Sequence, residues 1–183
     1  LYTSPHLQSY TERFVFNNKE ISENDLATLL ENVDKILGND NATVFEILTS
    51  AFIKYAENFK DNVNIIEAVL FHRFDSTNEI KQNFLTLLGV IHLDHLNWLD
   101  NKTIEGVIYE KTSSLPISNI FVNNQMSSEI KTKIKKSLTK NKSKKFFFGD
   151  DFNVAKSENS FIHYQDELGE IMLPQTNLIG DHQ

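Results

Sequence analysis

Between Ser22 and Lys142 apolar residues recur mostly at helical spacing, and after Lys145 they alternate. Leu26, Leu29, Leu30, Val33, Ile36 and Leu37 share one face of a helix that Ser22 can cap and Gly38 can end. Glu23 and Asp25 suit the positive end of its dipole. Asn41 or Thr43 opens a second helix, striped by Val44, Ile47, Leu48, Ala51, Phe52, Tyr55 and Phe59. The same spacing predicts a shorter helix over 63–74. It predicts a longer one capped by Ser76 or Thr77, with Ile80, Phe84, Leu87, Leu88, Ile91 and His95 facing inward. A further helix is expected over 103–110. Pro116 breaks the chain, and Ile117, Ile120 and Phe121 make one more apolar turn. Met126, Ile130, Ile134 and Leu138 then form a narrow stripe at i+4 spacing on a Lys-rich helix.

Two regions read as strand. Phe14 and Phe16 alternate with Arg13, Val15 and Asn17, a short strand signal inside an N-terminal extension over 1–21. After Lys145, Phe152 and Val154 alternate with Asn153 and Ala155, residues 156–160 are polar and turn-like, and 161–164 alternate again. Gly149-Asp150-Asp151 is a turn signal. Two or three short antiparallel strands are expected over 145–173, followed by a loose tail over 174–183.

The chain also aligns with itself. A shift of 39 residues places Phe45 on Phe84, Leu48 on Leu87, Phe52 on Ile91, Asn58 on Asn97, Phe59 on Trp98 and Asp61-Asn62 on Asp100-Asn101. Leu26 lands on Ile65 and then Ile104, Leu30 on Val69 and then Ile108, and Leu48 and Leu87 continue to Met126. A period near 40 with two helices per unit resembles the HEAT and armadillo helical-hairpin repeats. The resemblance covers 22–142 and concerns architecture only. It implies a mainly α fold: two to three stacked helical hairpins over 22–144, closed by the small antiparallel β element.

Composition adds exclusions. Among 183 residues there is no Cys, which removes a disulfide scaffold, a thiolate zinc site and a cysteine nucleophile. No apolar run approaches the roughly 18 residues of a membrane helix. No basic-then-apolar leader is present, and the opening on Leu1 leaves room for one already removed. The expected compartment is the cytoplasm. The net charge of −7 conceals an asymmetry: eight Lys and one acid, Glu129, fall between Met126 and Lys145, a local +7, and the rest carries −14.

Candidate chemistry is sparse. His92-Leu93-Asp94-His95 is the only histidine cluster, and two His three apart on a helix can share a metal ion with a carboxylate. His72-Arg73-Phe74-Asp75 is similar to a kinase catalytic loop but lacks the accompanying Gly-rich loop and Asp-Phe-Gly, and reads as a helix end. Gly149-Asp150-Asp151 with Asp166, Glu167 and Glu170 lacks the spacing of a calcium loop. With six Gly and no Gly-x-Gly, no phosphate-cradling loop is expected. The Lys-rich helix reads as the polar cap of a solenoid, not a nucleic-acid site, because the acidic body would repel phosphates.

These observations lead to a non-enzymatic protein-binding module that needs no cofactor. Its concrete form is an immunity- or antitoxin-like inhibitor whose acidic helical face meets a basic protein. The partner-binding residues expected are Glu31, Asp34, Glu57, Asp61, Asp100 and Glu105. One alternative is a metal-dependent hydrolase built on His92, Asp94 and His95. Another is a structural scaffold domain of a longer protein. Nucleic acid and membrane are not expected partners, and oligomeric state is left open.

Overall fold

The computed structural model describes residues 1–156 and 161–174. The chain divides into two compact units, Leu1–Ile80 and Lys81–Gln183.

In the first unit the caps act where the sequence offers them. Helix α1 (Glu23–Leu37) starts at Ser22, whose Oγ accepts from the Asp25 amide at 3.1 Å, and stops at Gly38 with φ +64°. Helix α2 (Val44–Ala56) starts at a capping box between Thr43 and Glu46. Strands β1 (Val15–Phe16) and β2 (Lys19–Glu20) form a hairpin through Asn17 and Asn18, both at positive φ as this tight turn requires. Many of the chain's Phe side chains meet here. The Tyr2 ring lies 4.9 Å from Phe52 and 5.6 Å from Phe14, and Phe16 lies 5.2 Å from Phe52 and 4.9 Å from Phe59. Leu26 and Leu29 of α1 and Leu48 and Ala51 of α2 close this core. Each large apolar side chain buried contributes about 1.5–3 kcal/mol.

In the second unit the chain winds as strand, helix, strand, helix, strand. Strands β3 (Leu85–Leu88), β4 (Asn119–Val122) and β5 (Lys144–Phe147) form a parallel sheet in that order, with Leu87 opposite Phe121 and Phe121 opposite Phe146. Helices α3 (Ile104–Thr112) and α4 (Ser128–Ser137) make the crossovers and pack on each other. Val107, Ile108, Ile120, Val122 and Ile134 are almost fully buried. Gly106 is required in α3, because a Cβ there would stand 2.1 Å from the Asn101 carbonyl oxygen. Strands β6 (Phe152–Lys156), β7 (Phe161–Asp166) and β8 (Gly169–Pro174) form an antiparallel meander. The turn read at 156–160 and the tail from 175 lie outside the described residues, except for Lys156 and its place in β6.

This is an α/β chain, not the mainly α array of HEAT- or armadillo-like hairpins that the 39-residue self-match implied. The matched positions occupy different structures. Leu48 is buried in α2, Leu87 sits 72% exposed in β3 and Met126 lies outside any helix or strand. Ile65 runs extended beside Tyr2, whose amide donates to its carbonyl at 2.8 Å, while Leu26 and Ile104 are helical. The helix expected over 63–74 does not form, and the one expected after Ser76 is a short 3-10 turn (Ser76–Glu79) followed by β3. The physical reason is that parallel strands read as near-continuous apolar runs. Leu85 to Ile91 is such a run, and short apolar runs match both periods.

Candidate functional site

In open α/β sheets ligands gather outside the carboxyl ends of the parallel strands. At that edge of β3–β5 the connections carry His92, Asp94 and His95 after β3, Asn123 to Gln125 after β4, and Gly149 to Asp151 after β5.

The histidine cluster is on a loop, not on a helix. His95 has φ +53°, and its amide donates to Asp94 Oδ1 at 2.8 Å. Asp94 Oδ2 lies 3.3 Å from His95 Nε2 and 3.7 Å from His92 Nε2, so one carboxylate faces both imidazoles. All three side chains are accessible to solvent, between 39% and 56%. Nearby, the partly buried Lys111 near the end of α3 has its ammonium pKa lowered by burial, against the opposing pull of Asp94. Among the described residues no group of three or more His, Asp or Glu is arranged to hold one metal ion.

After β5 the Asp150 carboxylate is held by two lysines of α4. Lys131 Nζ reaches Oδ1 and Lys135 Nζ reaches Oδ2, both at 2.6 Å, and these bonds hold Asp150 below the usual carboxylate range. Lys131 also donates to the Phe148 carbonyl at 2.7 Å. Lys133 bridges Glu105 and Glu129 at 2.8 and 2.6 Å. Three lysines of the basic stretch are thus neutralised within the unit. Asp151 folds back on the end of β5, its Oδ2 accepting from the Phe147 amide at 2.7 Å.

In the first unit the segment His72-Arg73-Phe74-Asp75 is neither a catalytic loop nor a helix end. Asp75 accepts from the Val69 amide at 3.0 Å, from the Thr77 amide at 2.9 Å and from the Thr77 hydroxyl at 2.5 Å. It caps the 3-10 turn and folds the loop around itself. Glu67 Oε2 accepts from the Ser4 amide at 2.9 Å.

The acidic residues expected to bind a partner do not share a helical array. Glu31 and Asp34 lie exposed on α1, Glu57 pairs with Lys54 at 2.7 Å, and Asp61 is exposed, all in the first unit. Asp100 and Glu105 belong to the second, where Glu105 is taken by Lys133. Sequence reasoning passed over Lys111 and Gln125. The usable signal was the apolar run Leu85 to Ile91 leading into His92, which marks a parallel strand delivering polar residues at its end.

No family model matches the chain. The chain is 36% identical over 117 residues to the dihydrofolate synthase/folylpolyglutamate synthase of Bacillus subtilis, a match covering 60% of this chain and 27% of that protein. It is 25% identical over 194 residues to the folylpolyglutamate synthase of Lacticaseibacillus casei, covering 100% of this chain and 45% of that one. Among solved structures, E. coli FolC in complex with DHPP and ADP aligns with TM-score 0.84 at 24% identity, over 98% of this chain and 42% of that one. The apo form of L. casei FPGS aligns with TM-score 0.80 at 24% identity, over 99% and 46%. The chain therefore spans less than half the length of the relatives it matches. Its fold is that of part of these synthases, which overturns the helical-repeat reading. The relatives are enzymes, which overturns the expectation of a non-enzymatic immunity- or antitoxin-like inhibitor. The metal-dependent hydrolase and scaffold alternatives fall with it. Among the described residues no helix is long and apolar enough to cross a membrane.

Proposed function

We propose that this chain is part of an ATP-dependent ligase of the dihydrofolate synthase/folylpolyglutamate synthase type. The observation that carries the reading is the match to the L. casei enzyme along the whole chain. Support comes from solved neighbours described with ADP, with AMPPCP and folate, and with AMPPNP and a Mn ion. Joining a carboxylate to an amine is uphill in water, and such a ligase drives it by cleaving ATP to ADP and phosphate. The partners of this reading are small: ATP, a folate-type acid and glutamate. The compartment that suits it is the cytoplasm.

Within this chain, the carboxyl edge of β3–β5 is the part assigned to the substrates. An imidazole facing a carboxylate can take up and pass on a proton, which is the task when an amine loses a proton on forming an amide. His95, closer to Asp94, is assigned that role, and Asp94 orients it.

The test uses the full protein encoded around this chain. ADP release should require both folate and glutamate, with a product heavier by one glutamate residue. His95→Ala should lower turnover by about 10²–10⁴-fold, the usual range for a positioned acid–base group. ADP release indifferent to folate and glutamate would sink the reading.

A further inference from the structure

We propose that Gln125 is a positioning residue that sets the loop carrying His92, Asp94 and His95. The β3–β4 ladder runs from Leu85 opposite Asn119 to Leu88 opposite Val122, and the Asn123 amide adds one more bond to the Leu88 carbonyl at 2.9 Å. Beyond that point the backbones cease to pair, and the Gln125 carboxamide takes over. Its Oε1 accepts from the Ile91 amide at 3.0 Å, and its Nε2 donates to the Gly89 carbonyl at 3.1 Å and to the Asn123 carbonyl two residues before it at 2.8 Å. A carboxamide carries the same donor and acceptor as a peptide group, so one side chain extends the ladder by a rung. Gln125 is 9% exposed and Ile91 is 1% exposed, so the clamp is shielded from water and Ile91 is pinned by packing as well.

The loop that bears the cluster begins at the next residue. Its start is held at Gly89 and Ile91, and its end is set by the left-handed turn at His95. The other buried polar side chains of this unit serve elsewhere. Thr112 bonds to the Ile108 carbonyl and to Ser137, and Ser143 accepts from the Ser118 amide. Removing the carboxamide leaves the Ile91 amide buried and unpaired, and the loop must shift to satisfy it. A displacement near 1 Å costs a positioned group up to about 10²-fold in rate.

The turnover arm of the test rests on the ligase reading, and a second arm does not. In the full protein, Gln125→Ala should lower kcat by about 10–100-fold and shift the ring resonances of His92 and His95 while leaving those of His163 in place. Gln125→Glu keeps the shape and the acceptor for Ile91 but loses the Nε2 donor, so it should fall between wild type and Gln125→Ala. It also keeps the test decisive if the alanine variant does not fold. Thr112→Val, matched for loss of thermal midpoint, should leave kcat within about twofold and both resonances unmoved. Unmoved His92 and His95 resonances in the Gln125 variants, or an equal loss of kcat in Thr112→Val, would overturn the proposal. If the wild-type protein turns over no substrate, the ligase reading fails and the resonances alone decide the role of Gln125.

Discussion

Single residues in this chain act mostly by saturating backbone groups. Glu12 is the clearest instance. Its carboxylate accepts from the amides of Leu7 at 2.8 Å and of Gln8 and Ser9 at 2.7 Å, and these bonds lower its pKa, the Leu7 amide first. A depressed carboxylate contributes stability that is fully present above its unfolded value, about 4.3, and is lost as pH falls through the folded one. Glu12→Gln should therefore unfold at lower temperature than wild type at pH 7. The gap should close as the pH drops below about 4. Thermal unfolding followed from pH 7 to pH 2 checks this, and a gap that persists at the acid end would contradict it. Asp75 and Asp151 likewise accept hydrogen bonds from backbone amides of their own loops. All three look like candidate catalytic acids in a list of residues, and only the geometry reveals them as loop organisers.

At the scale of elements, local signals and long-range pairing divide the chain between them. Helices α1, α2, α3 and α4 each start at a Ser or Thr whose hydroxyl accepts an amide three residues on. Those caps and the apolar stripes behind them are written in adjacent residues, so they can be read without a partner. β3 and β4 cannot, because each becomes a strand by pairing with a segment 34 residues away. Periodicity gives no hint of that partner, and the apparent 39-residue repeat followed from it. The aromatic packing of α2 carries a prediction of its own. Phe52 is 1% exposed and its ring contacts those of Tyr2, Phe14 and Phe16. Phe52→Ala should cost about 3–5 kcal/mol, read from urea denaturation as a lower midpoint. A loss under about 1 kcal/mol would mean that the cluster is not a packed core.

For the whole molecule, length is the governing fact. The chain matches the L. casei synthase over 100% of itself but 45% of that protein. A ligase needs nucleotide, acid and amine brought together, and this chain covers under half of the structures described with such ligands. On the ligase reading, the 183-residue chain expressed alone should therefore give no ADP release dependent on folate and glutamate, while the full protein should. Coupled-assay turnover of the two side by side checks this, and equal rates would place the entire site within these residues.

The adjacent residues determined the caps and apolar stripes of α1, α2, α3 and α4, the Gly149 turn and the grouping of His92, Asp94 and His95, but the same spacing also predicted helices over 63–74 and after Ser76 that do not form. They also determined the asymmetry between a basic stretch and an acidic remainder. Whether those charges meet a partner or each other was a tertiary matter. Lys131 and Lys135 close on Asp150, and Lys133 on Glu105, across separations that no local pattern records. The parallel sheet was decided the same way. Strand pairing and side-chain ladders such as that of Gln125 satisfy hydrogen bonds between distant segments, and only folding brings those segments within reach.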